Sequence, residues 1–217
     1  MIKKCVVIGA GGHARVLIDC IEHLPDIEIV GLLTPELSLR GTYIYSIPIL
    51  GDDVLLPRLF EMGVGYFVIG LGGTGDNRPR ERLYERACSS GLEPLTVIHP
   101  SALISGRAVL NAGCQALAGC VINAGVHIGK NVLLNTGVIV EHDCVLGDHA
   151  HLATGALLTG AVKVGSFAHI GAGAIVRQGI SIGDYAVVGA GAVVVKDVAV
   201  GDVVAGVPAK LLKKVDL

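Results

Sequence analysis

An aliphatic residue recurs at every sixth position through the second half of the chain, and this period constrains the fold more than any other feature. From Ile98 to Val200, seventeen of the eighteen positions spaced by six hold Ile, Leu or Val, and Ala116 is the exception. A unit of six residues holds one short strand and one tight turn, and three such units close a triangular coil. At roughly 4.8 Å between coils, the repeat predicts a parallel β-helix of about six coils and about 29 Å.

Smaller residues follow the same period. A small or aliphatic residue stands two positions before many of the inward positions, and glycine follows directly at positions such as Gly147 and Gly165. Because glycine adopts backbone angles that other residues avoid, we expect these glycines to form the turns. No insertion shifts the period between residues 98 and 200, which predicts a prism without a protruding loop. A β-sandwich or barrel would alternate with period two instead.

Composition excludes several classes of protein. Hydrophobic residues make up 52% of the chain, yet no apolar run approaches the roughly 20 residues of a membrane span. The net charge is −2 and no basic patch stands out, which argues against nucleic acid as a partner. The first residues enter a strand-like run without an export signal, and the six cysteines lack metal-site spacing. We therefore expect a cytoplasmic protein with reduced cysteines and no bound metal.

The first half of the chain has a different pattern. Apolar runs predict strands over residues 4–9, 28–33 and 66–71, and helical periodicity predicts helices over 13–24 and 78–89. In the first helix, Val16, Leu17, Cys20 and Ile21 share one face. Alternation of strands and helices is typical of a small parallel, Rossmann-like α/β domain. The sequence therefore predicts an α/β domain over 1–95 and a β-helix over 96–217 with a short C-terminal tail.

A glycine-rich turn follows the first predicted strand. The segment Gly9-Ala10-Gly11-Gly12-His13-Ala14 fits the GxGxxG/A pattern, which presents backbone N–H groups and a helix N-terminus to phosphate. A dinucleotide-binding site also needs an acid at the end of the second strand, where this chain has Thr34 and Pro35. The pattern favours a nucleotide diphosphate over NAD. A turn that only packs the helix on the strand is the structural alternative.

Candidate chemistry concentrates between Val140 and His151. His142 follows an inward residue by two positions, so we expect it at an outward corner, where the carboxylate of Asp143 would fix its tautomer. Eighteen residues separate His151 from His169, so their imidazoles should stack about 4.8 Å apart on successive coils. The same spacing places Gly160 beside His142. For His127, His149 and His169 we expect solvated or packing roles, and Cys144 is expected to fill the interior.

The hexads, closed by Val204-Ala205-Gly206-Val207-Pro208-Ala209-Lys210, resemble the hexapeptide-repeat acyltransferase superfamily. That resemblance implies a left-handed β-helix and a homotrimer with active sites between subunits. The glycine turn with Asp19, followed by Gly75-Asp76-Asn77-Arg78, is similar to the sialic-acid O-acetyltransferase/bacillosamine N-acetyltransferase family, which includes GDP-perosamine N-acetyltransferases. The similarity covers essentially the whole chain.

The family resemblance assigns roles to particular residues. It implies that the N-terminal domain holds a nucleotide-linked amino sugar through Gly9, Gly11, Gly12, His13, Thr34, Gly75, Asp76 and Asn77. It implies that His142 is the general base, that Asp143 orients it, and that acetyl-CoA is bound by His151, Gly160, Gly155 and Gly173. Relatives commonly carry consecutive aspartates where this chain has Thr34-Pro35-Glu36, so the base, uracil or guanine, stays open.

The resemblance implies an acetyl-CoA-dependent N-acetyltransferase that acts on the 4-amino group of a nucleotide-linked 4-amino-4,6-dideoxy sugar. The amine would attack acetyl-CoA directly, with histidine as the general base. The alternative is an O-acetyltransferase on sialic acid or a related sugar. A metal-dependent hydratase resembling the gamma carbonic anhydrases would need histidines such as His142, His149 and His151 to converge between subunits. A scaffold role leaves the His142–Asp143 pair without a purpose.

Overall fold

The chain forms two compact units in a computed structural model that describes residues 2–73 and 75–216. The first unit comprises residues up to 72 together with 79–97, and the second comprises 73–78 together with the chain from 98 onward. Met1, Thr74 and Leu217, which fall within the predicted domain ranges, lie outside the described residues. Among the described residues, no helix has the length and apolar character needed to cross a membrane.

The first unit is a mixed α/β fold around a largely parallel sheet. Its strands are β1 (Lys3–Ile8), β2 (Ile27–Leu33), β3 (Tyr43–Ile44), β4 (Ile47–Gly51), β5 (Tyr66–Ile69) and β6 (Glu93–Pro94), in the spatial order β3-β4-β2-β1-β5-β6. Its helices are α1 (Gly12–Glu22), α2 (Leu56–Glu61) and α3 (Arg78–Ser89). The central strand β1 pairs in parallel with both β2 and β5, and its last four residues are buried, as expected for a strand covered on both faces.

The sequence predicted β1, β2, β5, α1 and α3 within a few residues of their ends. In α1 the buried face contains Ala14 and Ile18 beside Leu17, Cys20 and Ile21, whereas Val16 is 42% exposed. The predicted placement of Val16 on the buried face is therefore wrong. The hairpin of β3 and β4, the short helix α2 and the edge strand β6 were not predicted.

The second unit is a parallel β-helix with three faces. One face contains β7 (Val97–Ile98), β10 (Gln115–Ala116), β13 (Leu133–Leu134), β16 (His151–Leu152), β19 (His169–Ile170) and β22 (Val187–Val188), followed by β24 (Asp202–Ala205) and β25 (Lys210–Lys214). The second contains β8 (Leu103–Ile104), β11 (Val121–Ile122), β14 (Ile139–Val140), β17 (Leu157–Leu158), β20 (Ile175–Val176) and β23 (Val193–Val194). The third contains β9 (Val109–Leu110), β12 (His127–Ile128), β15 (Val145–Leu146), β18 (Lys163–Val164) and β21 (Ser181–Ile182).

The six-residue period sets the interior of this unit. Residue pairs eighteen apart lie opposite each other on neighbouring strands, as Val140 does with Leu158. From residue 116 to 194 the inward positions are buried, and the small or aliphatic residues two positions before them complete the core. The six strands of the second face confirm the predicted fold of about six coils.

Glycines occupy two different positions in each coil. The glycines that directly follow an inward residue were predicted to form the turns, but the structure gives them another role. A Cβ on Gly147 would lie 2.5 Å from Ser166 N, and one on Gly165 would lie 2.5 Å from Asp184 N, so these glycines admit the backbone of the next coil. The left-handed turn residue comes three positions after the inward residue, as at Gly155 with φ +67°. Non-glycine residues also occupy this turn position, among them Asp143 with φ 60°.

The last coil is two residues shorter than the period predicts. Ile182 pairs with Val198, and Val188 pairs with Val204. Val198 is therefore buried, whereas the predicted inward residue Val200 is 52% exposed. The chain then turns back as β25, which pairs antiparallel with β24.

Candidate active site

His142 and Asp143 form a hydrogen-bonded pair directly after β14, at a corner of the β-helix. Nδ1 of His142 lies 2.9 Å from Oδ2 of Asp143. Because an ionised carboxylate only accepts hydrogen bonds, Nδ1–H donates, and this leaves Nε2 able to accept a proton. The two side chains are 55% and 69% exposed. The pair therefore presents an oriented imidazole to the outside of the prism, as the sequence predicted.

Gly160 lies one coil further, beside the same imidazole. The N–H of Ala161 donates to His142 O at 2.8 Å, which joins the two coils at this corner. A Cβ on Gly160 would lie 2.6 Å from Cε1 and Nε2 of His142. Only glycine therefore leaves room for the ring in this position. Within residues 2–73 and 75–216, the Gly160 N–H has no acceptor, so it is available to an external oxygen.

A second histidine pair occupies the outer side of the first face. His151 and His169 stand opposite each other on β16 and β19, with ring centroids 4.8 Å apart. The structure confirms the predicted spacing, but the rings meet edge to face at 77° and are not stacked. His151 is 3% exposed, although the sequence placed it on an outward face. Burial lowers the pKa of His169 from its ordinary value, which favours the neutral imidazole.

The segment formed by Gly73 and residues 75–78 belongs to the same unit as the β-helix, and contacts of Gly73 and Asn77 place it next to these histidines. A Cβ on Gly73 would be 3.3 Å from Nδ1 of His151 and 2.5 Å from Oδ1 of Asn77. Asn77 is 1% exposed, and its Nδ2 donates to the carbonyl oxygens of Phe167 and Ala168 at 3.1 and 3.2 Å. These contacts make Asn77 an anchor of the segment. Its predicted contact with a nucleotide sugar stays a prediction.

Asp76 and Gly75 belong to the same segment. The carboxylate of Asp76 accepts from the backbone N–H and the Nε–H of Arg78 at 3.0 and 2.9 Å. A Cβ on Gly75 would meet only the side chain of Val187, at 3.7 Å, and φ there is +104°. Both residues therefore shape the segment in this structure, and their predicted role in holding the sugar stays a prediction.

Gly155 and Gly173 leave a ridge of the β-helix without side chains. They occupy the same turn on successive coils, and Gly137 and Gly191 continue that row in either direction. A Cβ on any of the four would meet nothing within 4 Å. A long, narrow molecule such as a pantetheine arm would find no steric obstacle along this ridge. The sequence singled out two of the four glycines, and the eighteen-residue spacing identifies the other two.

The interior cysteines do not form a nucleophilic site. The Sγ of Cys144 donates to Thr159 O at 3.2 Å, and burial raises the pKa of this thiol. Burial also raises the pKa of Cys114 and of Cys120 to about 11. Since the thiolate is the reactive form, these residues are packing elements, as the sequence predicted for Cys144.

A cavity of about 560 Å³ opens in the first unit at the carboxyl end of β1, where a parallel sheet commonly binds ligands. Its lining includes Gly9, Gly11 and Thr34. Gly9 has φ +127°, and a Cβ there would lie 2.7 Å from the backbone of Gly70, so only glycine fits this turn. Helix α1 begins at Gly12, and Gly11 before it provides no side-chain cap.

Gly11 and Gly12 leave open space at the N-terminus of α1. A Cβ on either glycine would meet nothing within 4 Å. The first N–H groups of a helix have no intrahelical acceptor, and the helix dipole favours an anion beside them. His13 is the second residue of α1. A Cβ added to Gly72 would lie 3.7 Å from the Cβ of His13. The arrangement suits a diphosphate at this end of the cavity.

Two carboxylates for which no role was predicted from the sequence line the same cavity. Glu36 stands three residues after the end of β2, and Asp53 begins the short helical turn after β4. Oδ2 of Asp53 lies 2.9 Å from Nη1 of Arg86. Asp53 was not recognised because its position at the cavity depends on β4, which was not predicted.

Comparison with known proteins gives matches to both halves of the chain. A family model described as the PglD N-terminal domain matches residues 4–87, and one described as bacterial transferase hexapeptide (six repeats) matches 125–160 and 161–196. A GDP-perosamine N-acetyltransferase of Escherichia coli O157:H7 is 33% identical over 146 residues. That alignment covers 66% of this chain and 64% of the relative, slightly less than two thirds of its length.

Solved structures match over nearly the full chain. A histidine-to-asparagine variant of perosamine N-acetyltransferase from Caulobacter crescentus, in complex with CoA and GDP-perosamine, is 36% identical. Its TM-score is 0.90, and the match covers 99% of each chain. The acetyltransferase domain of PglB from Neisseria gonorrhoeae FA1090, in complex with acetyl coenzyme A, is 33% identical with a TM-score of 0.90, covering 98% of this chain and 100% of that one. The chain therefore belongs to the hexapeptide-repeat family of the perosamine and bacillosamine N-acetyltransferases, as the sequence resemblance predicted.

Proposed function

We propose that the protein is an acetyl-CoA-dependent N-acetyltransferase that acts on the 4-amino group of a nucleotide-linked 4-amino-4,6-dideoxy sugar. The observation that carries the proposal is the His142–Asp143 pair beside the unpaired N–H of Gly160. Relatives support it, because the matched structures bind CoA with GDP-perosamine, or acetyl coenzyme A. None of the proposed chemical steps uses a metal ion.

The pair and the glycine supply what acetyl transfer from a thioester needs. The amine nitrogen attacks the thioester carbon, and Nε2 of His142 takes the proton that the nitrogen loses. The carbonyl oxygen becomes an oxyanion, to which the Gly160 N–H can donate. When the carbon–sulfur bond breaks, the CoA thiolate leaves and is protonated to the free thiol, and the products are an amide and CoA. Asp143 acts by holding the imidazole in one tautomer. His151, Gly155 and Gly173 are proposed contacts of acetyl-CoA.

We also propose that residues 1–95 form the nucleotide-sugar domain and 96–217 the acetyltransferase domain. The diphosphate would bind at the N-terminus of α1, beside Gly11 and Gly12, where the backbone leaves open space. Thr34 would line the nucleoside end of the same cavity. A cytoplasmic location, likewise proposed, agrees with a described chain in which no cysteine forms a disulfide.

The proposed active assembly is a homotrimer with sites between subunits. The outward residues of the second face are aliphatic on all six strands: Leu103, Val121, Ile139, Leu157, Ile175 and Val193. Leu103 is 69% exposed and Ile175 is 42% exposed in one chain. A continuous apolar face of this kind marks an interaction surface. Because His142 follows β14 on this face, a neighbouring chain would stand close to it. The change Leu157→Glu should reduce both the mass of the assembly, measured by light scattering, and the acetyl transfer rate.

The test of the activity is release of CoA thiol from acetyl-CoA in the presence of UDP- and GDP-linked 4-amino sugars. We expect release with at least one sugar and a loss of roughly 10²- to 10⁴-fold in His142→Ala, the usual contribution of a general base. Thiol release with sialic acid but with no amino sugar would replace the proposal by O-acetylation. About one tightly held zinc per chain would instead support the hydratase alternative.

Gly11→Ala provides a separate test of the nucleotide site. Since the added Cβ meets nothing within 4 Å in the free protein, the variant should fold normally. It should raise the KM for the nucleotide sugar and leave the KM for acetyl-CoA unchanged, because the methyl group fills space that the phosphates need. An unchanged KM for the sugar would remove the diphosphate from this turn.

A further inference from the structure

In the cavity of the first unit, the positive partial charge comes from the backbone and the negative charge comes from side chains. The N-terminus of α1 at Gly11 supplies partial positive charge, whereas Glu36 and Asp53 line the cavity with carboxylates. No Lys or Arg is among its described lining residues. Phosphates next to Glu36 would be repelled. These charges favour a nucleoside diphosphate that has its phosphates at α1 and its base toward the carboxylates.

Glu36 is the carboxylate placed to contact that base. Its backbone N–H donates to Oγ1 of Thr34 at 3.3 Å, and its Oε1 accepts from Ser38 Oγ at 2.7 Å. The first bond fixes the backbone of Glu36 beside the end of β2, and the second holds its side chain. Among the described residues, Oε2 accepts no hydrogen bond and no cation pairs with the carboxylate. Glu36 thus keeps an uncompensated charge and unused acceptor capacity.

Asp53 is a weaker candidate for the same role. Its Oδ2 lies 2.9 Å from Nη1 of Arg86, so its negative charge already has a partner. Its backbone also begins a short helical turn, capped by Asp52, whose side chain accepts from the N–H of Val54. Asp53 therefore adds to the anionic character of the cavity wall, while Glu36 is the group free to accept from a ligand.

From this arrangement we infer that Glu36 selects guanine, so that the proposed substrate is a GDP-linked amino sugar and not a UDP-linked one. Guanine presents two adjacent donors, N1–H and the 2-amino group, and a carboxylate accepts from both. Uracil presents one donor, N3–H, between two carbonyl oxygens, which a carboxylate repels. One bidentate contact of this kind discriminates between bases by roughly 10- to 100-fold. The identity of the sugar rests on the proposed function. The choice of guanine rests only on the residues that line the cavity.

The competing interpretation is that Glu36 accepts from the ribose hydroxyl groups, as an acid near the end of the second strand does in dinucleotide-binding folds. In that case the carboxylate would contribute equally to every nucleotide. Inosine diphosphate separates the two interpretations, because hypoxanthine keeps N1–H and lacks the 2-amino group, while its ribose is that of GDP.

The experiment measures the Kd of GDP, IDP and UDP by calorimetry, without acetyl-CoA, for the full-length protein, Glu36→Gln and the control Glu28→Gln. Glu28 is an exposed acid on β2 and does not line the cavity. We expect the natural protein to bind GDP roughly 10-fold more tightly than IDP and roughly 10- to 100-fold more tightly than UDP. Glu36→Gln should bring GDP, IDP and UDP to similar Kd values, and Glu28→Gln should keep the order of the natural protein.

Three results would overturn the inference: UDP binding as tightly as GDP, an equal loss for all three nucleotides in Glu36→Gln, or no change in that variant. Since acetyl-CoA is absent, this result is independent of the activity. GDP selectivity without any acetyl transfer would contradict only the proposed function. Acetyl transfer to a UDP-linked sugar by a protein that prefers UDP would contradict only the role of Glu36.

Discussion

Replacing Gly160 by alanine should displace the imidazole of His142 and leave the β-helix intact. The new Cβ would lie 2.6 Å from Cε1 and Nε2, whereas ordinary contact begins at 3.4 Å, so the ring must retreat by about 0.8 Å. The His142 side chain is 55% exposed and free to turn outward, and φ of Gly160 is not left-handed, so the strain is relieved by movement of the ring. A misplacement of about 1 Å costs roughly 10²-fold in rate, and we expect that loss in kcat.

The assay is thiol release from acetyl-CoA at saturating sugar, together with thermal unfolding. Gly106→Ala is the matched control, because a Cβ there meets nothing within 4 Å and should alter neither activity nor Tm. In a His142→Ala background, Gly160→Ala should cause no further loss, since the group it displaces is already absent. Full activity in Gly160→Ala, or an equal loss in both backgrounds, would refute the proposed contact between Gly160 and the general base.

Three further predictions follow from individual contacts. Asp143→Ala, which removes the carboxylate without offering a donor to Nδ1, should lower kcat/KM only about fivefold, far less than His142→Ala, because an exposed pair contributes at most about 1 kcal/mol; steady-state kinetics of both variants tests this order. Asn77→Asp should lower the Tm more than Asn77→Ala, since a carboxylate would face the carbonyl oxygens of Phe167 and Ala168; a higher Tm for the aspartate variant would contradict this. Burial lowers the pKa of His169, so the unfolded chain binds its proton first and stability falls as pH decreases below about 6.5; His169→Gln should show a smaller drop in Tm between pH 7.5 and 5.

The period of six predicts the β-helix well because every coil repeats the same constraint. Each inward residue must match a neighbour eighteen positions away, so His151 and His169 meet as predicted. At the C-terminal end of the β-helix, the period of six does not predict which residue points inward. Past Val194 no full coil follows to enforce the period, and Val198, which pairs with Ile182, takes the inward place predicted for Val200.

The longest elements of the α/β unit were predicted from the sequence, and most of its short elements were not. The strand Lys3–Ile8 and the helix Gly12–Glu22 carry enough residues to show a period, whereas the two-residue strand Tyr43–Ile44 and the six-residue helix Leu56–Glu61 do not. Asp53 follows this missed hairpin, so its place at the cavity had no signal in the sequence.

Local and long-range contacts explain which site residues were predictable. The His142–Asp143 bond joins neighbours in the sequence and was expected from the motif alone. The contact of Asn77 with Phe167 joins residues ninety positions apart and has no local signature. The burial of His151 likewise depends on the segment that holds Gly73, which the periodicity of the β-helix does not include.

The structure of the product tests the proposed N-acetyl transfer most directly. The 4-amino sugar nucleotide that releases the most thiol is incubated with acetyl-CoA, and the product is examined by mass spectrometry and proton NMR. We expect one added acetyl group, on the nitrogen at C4, and formation of this amide roughly 10²- to 10⁴-fold more slowly by His142→Ala. An acetyl group on a hydroxyl oxygen, or the same amide formed at an unchanged rate by His142→Ala, would contradict the proposed transfer.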